Sequence, residues 1–238
     1  MSVETVAPAP ISVTRRNSAA TTLRLPEHTV EIVCDPGEGA QKCGQIFGAV
    51  SAKMGNGVWT VEIIPAEIQP PPRLPEGASG IRVRVGSGPV TNWGDATNLV
   101  VAFNEQVLIG RHRLGALAKD ATILIEDCWA TDPDPDTQAA WTAALAELSR
   151  SRYRIIRVPM LEQCLTIDDD PKKGKNMFVL GMLTCIYARD VERVEEQIAH
   201  AFRKKSEEVF TRSVALMRLG AQWAESNLDF RIDVPAAV

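Results

Sequence analysis

Residues 29–53, TVEIVCDPGEGAQKCGQIFGAVSAK, contain the change of pattern that decides the fold. Mostly β-branched apolar residues at 30–33 indicate a buried strand, which Asp35-Pro36-Gly37 interrupts. From Gln41 onward the apolar residues recur at three- and four-residue intervals, which predicts one face of a helix. The stretch therefore predicts a strand, a glycine turn and a helix.

The glycine turn is the first candidate binding site. A helix that starts after such a turn exposes N–H groups and the positive end of its dipole, which favour a phosphate or carboxylate. Gly37, Gly39 and Gln41 are the candidate contacts. Lys42 stands where the dinucleotide fingerprint has its third glycine. A turn that serves only strand–helix packing therefore stays open as the alternative.

Further along the chain, strand-like and helix-like patterns alternate, which is typical of an α/β layer fold. Five more segments have strand character, at residues 58–64, 81–85, 99–103, 121–125 and 153–158. The strand at 81–85 alternates apolar and charged residues and is expected to be half-exposed. The apolar run at 99–103 predicts a central parallel strand. From residue 175 the pattern is almost entirely helical, and the final segment, 227–238, has no strong period.

The two ends of the chain differ in composition. Residues 1–27 are rich in Ala, Pro, Ser and Thr, and we expect a poorly ordered arm there, with the domain at 28–238. The arm lacks the continuous apolar core of a secretory signal, and no apolar run is long enough to cross a bilayer. A cytoplasmic location without membrane contact is the expectation.

Composition also bears on the class of protein. The net charge is −4 and aromatic residues are few, which argues against a nucleic-acid-binding surface. The five cysteines are dispersed, with no CxxC pair, which argues against a metal or iron–sulfur centre held by this chain. The acidic run at 131–136 contains two prolines and precedes a helix, so a loop with an N-cap carboxylate is expected there.

Three further segments carry candidate ligand contacts. Arg73 follows a run of prolines and offers a planar guanidinium for a phosphate or carboxylate, or for an ion pair with another subunit. Asn104 follows the central strand, where open α/β sheets bind ligands, although helix capping alone would explain it. Lysines at 172, 173 and 175 precede a helix opened by Asn176, and either a phosphate-contacting loop or a solvated basic loop fits them.

In this order, the motifs resemble the gamma subunit or gamma domain of 2-oxoacid:acceptor oxidoreductases, the family of pyruvate and 2-oxoglutarate:ferredoxin oxidoreductases. The similarity covers roughly residues 30–234. It rests on an ordered set of segments: the glycine turn GEGAQK (37–42), EIQPPPR (67–73), LVVAFN (99–104), KNMFVLG (175–181), FRKKSEEVF (202–210) and GAQWAESNLDFR (220–231). The EIQPPPR, GKNMF and NLDFR stretches are most similar to the 2-oxoglutarate branch, while pyruvate and aryl-glyoxylate relatives share the architecture.

The resemblance implies a Rossmann-like, open, mostly parallel sheet with helices on both faces and a helical C-terminal third. It also implies a division of labour in which partner alpha, beta and delta subunits hold thiamine diphosphate, magnesium and [4Fe–4S] clusters. This chain would be a non-redox subunit, inactive alone, near the coenzyme A entrance. Ferredoxin, or a flavin subunit that reduces NAD, would accept the electrons. The family's own glycine pattern is altered here at Ala40 and Lys42.

Under this resemblance, the candidate contacts to coenzyme A are Gly37, Gly39, Gln41, Arg73, Asn104 and Asn176. No catalytic residue is expected in this chain. Two alternatives remain, a stand-alone nucleotide-binding oxidoreductase and a purely structural assembly domain. Glu62 or Glu67 would have to supply the ribose-binding carboxylate that a dinucleotide site requires.

Overall fold

The computed structural model describes residues 20–67, 70–170 and 173–237. Its main element is a six-stranded sheet with the strand order β3-β4-β2-β5-β6-β7. These strands are β2 (Glu27–Cys34), β3 (Gly57–Ile63), β4 (Ser79–Gly86), β5 (Thr97–Ala102), β6 (Leu117–Glu126) and β7 (Arg154–Val158). Strands β2, β5, β6 and β7 are mutually parallel, and β4 runs antiparallel between β2 and β3. The predicted mostly parallel α/β sheet is confirmed.

Helices cover both faces of this sheet, as expected. They are α1 (Ala40–Lys53), α2 (Glu105–Arg113), α3 (Pro135–Leu148), α4 (Met160–Cys164), α5 (Lys175–Ile186), α6 (Val191–Phe202) and α7 (Glu207–Asn227). Alternation along β2 sends Ile32 to one face and Val33 to the other. The first face packs against α1, α5, α6 and α7, and the second against α2 and α3. Helices α1 and α2 therefore leave the neighbouring strands β2 and β5 on opposite sides of the sheet.

The strand at 81–85 differs from the expectation of half exposure. Arg82 is only 7% exposed, because its Nε donates a 2.7 Å hydrogen bond to the fully buried Glu31 on β2. Arg111 on α2 donates to the same carboxylate at 2.9 and 3.0 Å. The charged residue on the inner strand is thus neutralised by a partner across the sheet, which the alternation pattern cannot reveal.

The first and last strands of the described residues form a second, two-stranded parallel sheet. Strand β1 (Thr21–Arg24) pairs with β8 (Phe230–Asp233), so the final segment contains a strand that its sequence pattern did not predict. Asn56 fixes the tail further, since its Nδ2 donates to the carbonyls of Val234 at 3.0 Å and Pro235 at 2.8 Å. The expected arm, 1–27, lies outside the described residues as far as residue 19, and its boundary with the domain remains a prediction.

Two other local predictions can be compared with the structure. Asp134 caps α3 by accepting a hydrogen bond from the Asp136 N–H, as expected for the acidic loop at 131–136. None of the helices in the described ranges combines the length and apolar character that a bilayer crossing requires. Within EIQPPPR, residues 68 and 69 lie outside the description.

Candidate functional site

The glycine turn forms the rim of a shallow pocket at the carboxyl end of β2. Gly37 and Gly39 have φ angles of 93° and 87°, a left-handed conformation that glycine adopts without steric cost. Gly39 is the N-cap of α1, and no described side chain caps this helix or places a carboxylate in its first turn. The pocket has a volume of about 260 Å³ and is lined by Gly37, Gly39, Ala40, Gln41, Lys42, Gln45 and Ser79. The structure thus brings together the three predicted residues of the turn.

The N-terminus of a second helix lies against this turn. Asn176 is in the first turn of α5, and its Nδ2 lies 2.4 Å from the point where a Cβ atom of Gly39 would stand. Its Oδ1 accepts a hydrogen bond of 2.9 Å from the Met177 N–H. Two motifs more than 130 residues apart in sequence therefore meet, and both present helix N-termini, which favour an anion.

Polar side chains on α1 form one wall of the pocket. Lys42 is exposed, and its Nζ donates a 3.2 Å hydrogen bond to Oε1 of Gln45. The Gln45 amide in turn donates to Glu62 on β3 at 2.8 Å. Lys42, which weakens the match to the dinucleotide fingerprint, thus adds a positive charge to the wall of the pocket.

The sheet topology also bears on the dinucleotide alternative. In a dinucleotide-binding domain the ribose-binding carboxylate follows the strand beside the glycine turn. Here β4 lies between β2 and β3, so Glu62 is two strands away, on the order of 10 Å at the usual strand spacing. Glu62 is also engaged with Gln45. The arrangement disfavours a ribose contact from Glu62.

A buried ion pair lies beneath the glycine turn. The Nζ of Lys175 is 2.7 Å from Oε1 of Glu38, and the Lys175 side chain is only 6% exposed. The second oxygen of Glu38 accepts a 2.9 Å hydrogen bond from the Asp35 N–H. Burial lowers the pKa of Lys175, but the carboxylates of Glu38 and Glu126 raise it above its ordinary value overall. Lys175 is therefore a buried, charged residue and not part of a solvated basic loop; residue 172 lies outside the description.

Glu126 at the end of β6 is the third charged group of this cluster. It is fully buried, and its oxygens accept hydrogen bonds from the N–H groups of Asp127, Cys128 and Leu161 at 2.8–3.2 Å. Burial raises the pKa of Glu126 to about 7, although Lys175 and these N–H donors act in the opposite direction. The carboxyl group therefore changes its charge near neutral pH.

Arg73 is engaged inside this chain. Its Nη2 pairs with the buried carboxylate of Glu105, and its guanidinium carbon lies 4.3 Å from the ring centroid of Trp129. Its backbone N–H donates a 2.9 Å hydrogen bond to Oδ1 of Asp35. Its backbone is left-handed, with φ at 56°. The Nη1 of Arg73 is buried and has no hydrogen-bond partner among the described residues. A role as a phosphate or carboxylate clamp remains a prediction.

Asn104 has the capping role that its position indicates. It is fully buried, and its Oδ1 accepts a 3.0 Å hydrogen bond from the Val107 N–H at the start of α2. It thereby fixes the path of the chain from β5 into α2 beside Glu105. A direct contact between Asn104 and a ligand remains a prediction.

The thiol and imidazole groups do not form a reactive site. Burial raises the pKa of Cys34, Cys128 and Cys164 to about 12 in each case, so these thiols are protonated. In the described ranges no three His, Cys, Asp or Glu side chains are grouped to hold a metal ion. His28 is buried beside the hydroxyl of Tyr187 at 2.7 Å, and burial lowers its pKa to about 4.

Sequence reasoning missed several members of this site. The sequence pattern gives no role to Glu38, which lies in the glycine turn, or to Glu126, which follows the strand at 121–125. For Lys175 it leaves open a phosphate-contacting loop or a solvated basic loop. The available signal was local: Lys175 stands directly before the buried apolar run of α5, where a solvated side chain would be out of place.

The comparisons with known proteins agree with this fold. A profile of the family described as "pyruvate ferredoxin/flavodoxin oxidoreductase" matches residues 32–223, well over half of the chain. The chain therefore belongs to the pyruvate ferredoxin/flavodoxin oxidoreductase family. A curated relative, the 2-oxoglutarate oxidoreductase subunit KorA of Mycobacterium tuberculosis (strain ATCC 25618 / H37Rv), is 26% identical over 214 residues. These cover 87% of this chain and 32% of that protein, so the chain spans about a third of the relative's length.

Solved structures share the fold. The gamma subunit of a keto/oxoacid ferredoxin oxidoreductase from Geobacter sulfurreducens PCA superposes with a TM-score of 0.60, at 13% identity, over 84% of this chain and 98% of that one. The pyruvate oxidoreductase subunit PORC of Thermotoga maritima superposes with a TM-score of 0.57 at 17% identity. The match covers 83% of this chain and 97% of that one. A third structure is a 2-oxoglutarate:ferredoxin oxidoreductase of Magnetococcus marinus with 2-oxoglutarate, coenzyme A and succinyl-CoA bound. It superposes with a TM-score of 0.65 at 22% identity, and the match covers 89% of this chain and 34% of that one. The predicted resemblance to gamma subunits is confirmed at the level of family and fold.

Proposed function

We propose that this chain is the gamma-type part of a 2-oxoacid:acceptor oxidoreductase that oxidatively decarboxylates a 2-oxoacid and transfers the acyl group to coenzyme A. The observation that carries this proposal is the family match over residues 32–223. The preferred substrate is 2-oxoglutarate, which is supported by the name of the KorA relative and by the substrate bound in the Magnetococcus structure. Pyruvate and aryl-glyoxylates are the alternatives.

We assign the contact to coenzyme A to the pocket at the start of α1. Coenzyme A carries phosphate groups, and the uncapped N-terminus of α1 and the Lys42 ammonium both favour negative charge. Gly37, Gly39 and Gln41 would contribute backbone donors. Asn176 supports this contact from the neighbouring helix, while Arg73 and Asn104 lie deeper at the same edge of the sheet.

The remaining chemistry is assigned to partner subunits of the alpha, beta and delta type. Thiamine diphosphate with magnesium supplies the carbanion chemistry of decarboxylation, and [4Fe–4S] clusters carry the electrons. Among the described residues no three His, Cys, Asp or Glu side chains are grouped to hold a metal ion, so the dispersed thiols of this chain do not fit a cluster. Ferredoxin is the proposed acceptor, with a flavin subunit that reduces NAD as the alternative. A cytoplasmic location is part of the same proposal.

The test is an anaerobic assay of the complex that co-purifies with a tagged copy of this chain. Substrates are 2-oxoglutarate and coenzyme A with a low-potential dye as acceptor, and pyruvate is the comparison substrate. We expect coenzyme A-dependent dye reduction that is lost when this chain is removed and returns when it is added back. Full activity in its absence would contradict the proposed function, and NAD binding by the purified chain alone would favour the stand-alone alternative.

A further inference from the structure

The strongest unassigned feature of the molecule is the connection between the first residue of α5 and the glycine turn. Lys175 holds one oxygen of Glu38 at 2.7 Å, and the other oxygen of Glu38 accepts the Asp35 N–H at 2.9 Å. The Glu38 carboxylate therefore bridges α5 and Asp35, the residue that follows β2. Glu38 stands between Gly37 and Gly39, two positions at which the backbone is left-handed.

The turn has few other side-chain restraints. A Cβ atom on Gly37 would meet nothing within 4 Å, and α1 has no side-chain cap among the described residues. For Gly39, the three atoms nearest to such a Cβ all belong to Asn176. Two flexible glycines flank Glu38, so its side-chain contacts help to fix the direction of the peptide groups between them. These contacts are the Lys175 ammonium on one carboxylate oxygen and the Asp35 N–H on the other.

The surroundings of Lys175 keep its ammonium group in place. Its Nζ lies 5.3 Å from the centroid of the Phe103 ring, and Glu126 contributes a second carboxyl group nearby. The Glu38 side chain is 21% exposed, so the pair is only partly shielded from solvent, and such a pair is weak evidence of stabilisation. What distinguishes it is its position between α5 and the glycine turn.

We propose that Lys175 is a positioning residue for the pocket at the start of α1. Through Glu38 it orients the N–H groups of Gly39 and the first turn of α1 toward an anionic ligand. The inference rests on the proposed function only in naming coenzyme A as that ligand. Lys175 itself does not touch the ligand and takes no part in the chemistry.

Four variants of the purified complex test this role: Lys175→Met, Glu38→Gln, the double variant, and Lys173→Met as the control. Lys173 is two residues away, its side chain is 62% exposed, and its Nζ lies 2.9 Å from a carboxylate oxygen of Asp170. We expect Lys175→Met and Glu38→Gln each to raise the KM for coenzyme A about tenfold, because each change removes one charge-assisted hydrogen bond. The KM for the 2-oxoacid should stay within about twofold, and the double variant should resemble either single one.

A second measurement does not depend on the ligand. Native-state hydrogen exchange of residues 35–43 should be about tenfold faster in Lys175→Met than in the wild type or in Lys173→Met. Unchanged exchange in this segment would overturn the positioning role. So would equal rises in both KM values, which indicate a general structural defect.

The two proposals fail in different ways. If Lys42→Ala raises the KM for coenzyme A but Lys175→Met does not, the positioning role is wrong and the proposed pocket stands. If exchange of the turn accelerates in Lys175→Met while neither variant changes the KM for coenzyme A, Lys175 does position the turn and the assignment of coenzyme A to this pocket is wrong.

Discussion

The side-chain amide of Asn176 lies directly against Gly39: a Cβ atom at Gly39 would stand 2.4 Å from Nδ2 of Asn176. The contact joins the N-termini of α1 and α5, which begin 135 residues apart, at Ala40 and Lys175. Two features therefore favour glycine at position 39. Its backbone is left-handed, and Asn176 leaves no space for a Cβ atom.

Substitution of the two turn glycines should separate these reasons. Gly37→Ala meets no neighbouring atom and should cost only the left-handed backbone, about 1 kcal/mol of unfolding free energy. Gly39→Ala should cost about 2 kcal/mol more, because the new methyl group overlaps Asn176. Asn176→Ala should recover much of that extra loss in the Gly39→Ala background. Urea unfolding of the wild type and these three variants checks this, and equal losses for Gly37→Ala and Gly39→Ala would contradict the packing contact.

Glu126 should make stability fall as the pH rises toward neutrality. Its pKa is about 7 in the fold and 4.5 without burial, so its contribution is fully present below about pH 4.5 and lost as the pH rises through about 7. The difference corresponds to on the order of 3 kcal/mol. Glu126→Gln keeps the shape and removes the titration. As the pH rises from 5 to 8, the urea midpoint of the wild type should fall relative to that of Glu126→Gln. A difference between the two midpoints that does not change with pH would contradict a raised pKa for Glu126.

His28 should make the stability of the fold decrease as the pH falls, which is the opposite of the effect of Glu126. Burial lowers its pKa from 6.5 to about 4, so its contribution is present above pH 6.5 and lost as the pH falls through about 4. The expected loss is again on the order of 3 kcal/mol. The protein carrying Glu126→Gln should therefore become steadily less stable in acid, and adding His28→Gln should flatten that curve. An acid slope that is the same with and without His28→Gln would exclude His28 as its source.

The cap at Asn104 should contribute a modest, separable amount. Asn104→Ala removes the acceptor for the Val107 N–H and should lower the unfolding free energy by about 1 kcal/mol. Asn104→Ser retains a capping oxygen and should lose less. If serine and alanine are equally destabilising, the role of Asn104 lies in packing or ligand contact instead.

The features that the sequence predicted are those with a local cause. The glycine turn, the cap at Asn104 and the N-cap at Asp134 each depend on residues within a few positions, so a pattern reveals them. The buried strands follow for the same reason, since their apolar runs are continuous. The resemblance to the family, which rests on the order of these motifs, also predicted how the strands and helices are arranged.

The features that sequence reasoning missed depend on contacts between distant segments. Lys175 is a charged residue at the start of α5, and only the fold shows that Glu38 lies beside it. Arg82 is buried because Glu31 faces it from the neighbouring strand. Strand β8 is four residues long and pairs with the opposite end of the chain, so neither its length nor its pattern distinguishes it from a loop.

The central claim is that the start of α1 contacts coenzyme A, and Lys42→Ala tests it most directly. The matched control is Lys53→Ala, which removes the same charge at the opposite end of the same helix. In the anaerobic assay of the assembled complex, we expect Lys42→Ala to raise the KM for coenzyme A about five- to tenfold and to leave the KM for the 2-oxoacid and kcat nearly unchanged. Lys53→Ala should behave as the wild type. A KM for coenzyme A that is the same in Lys42→Ala as in the wild type would contradict the claim.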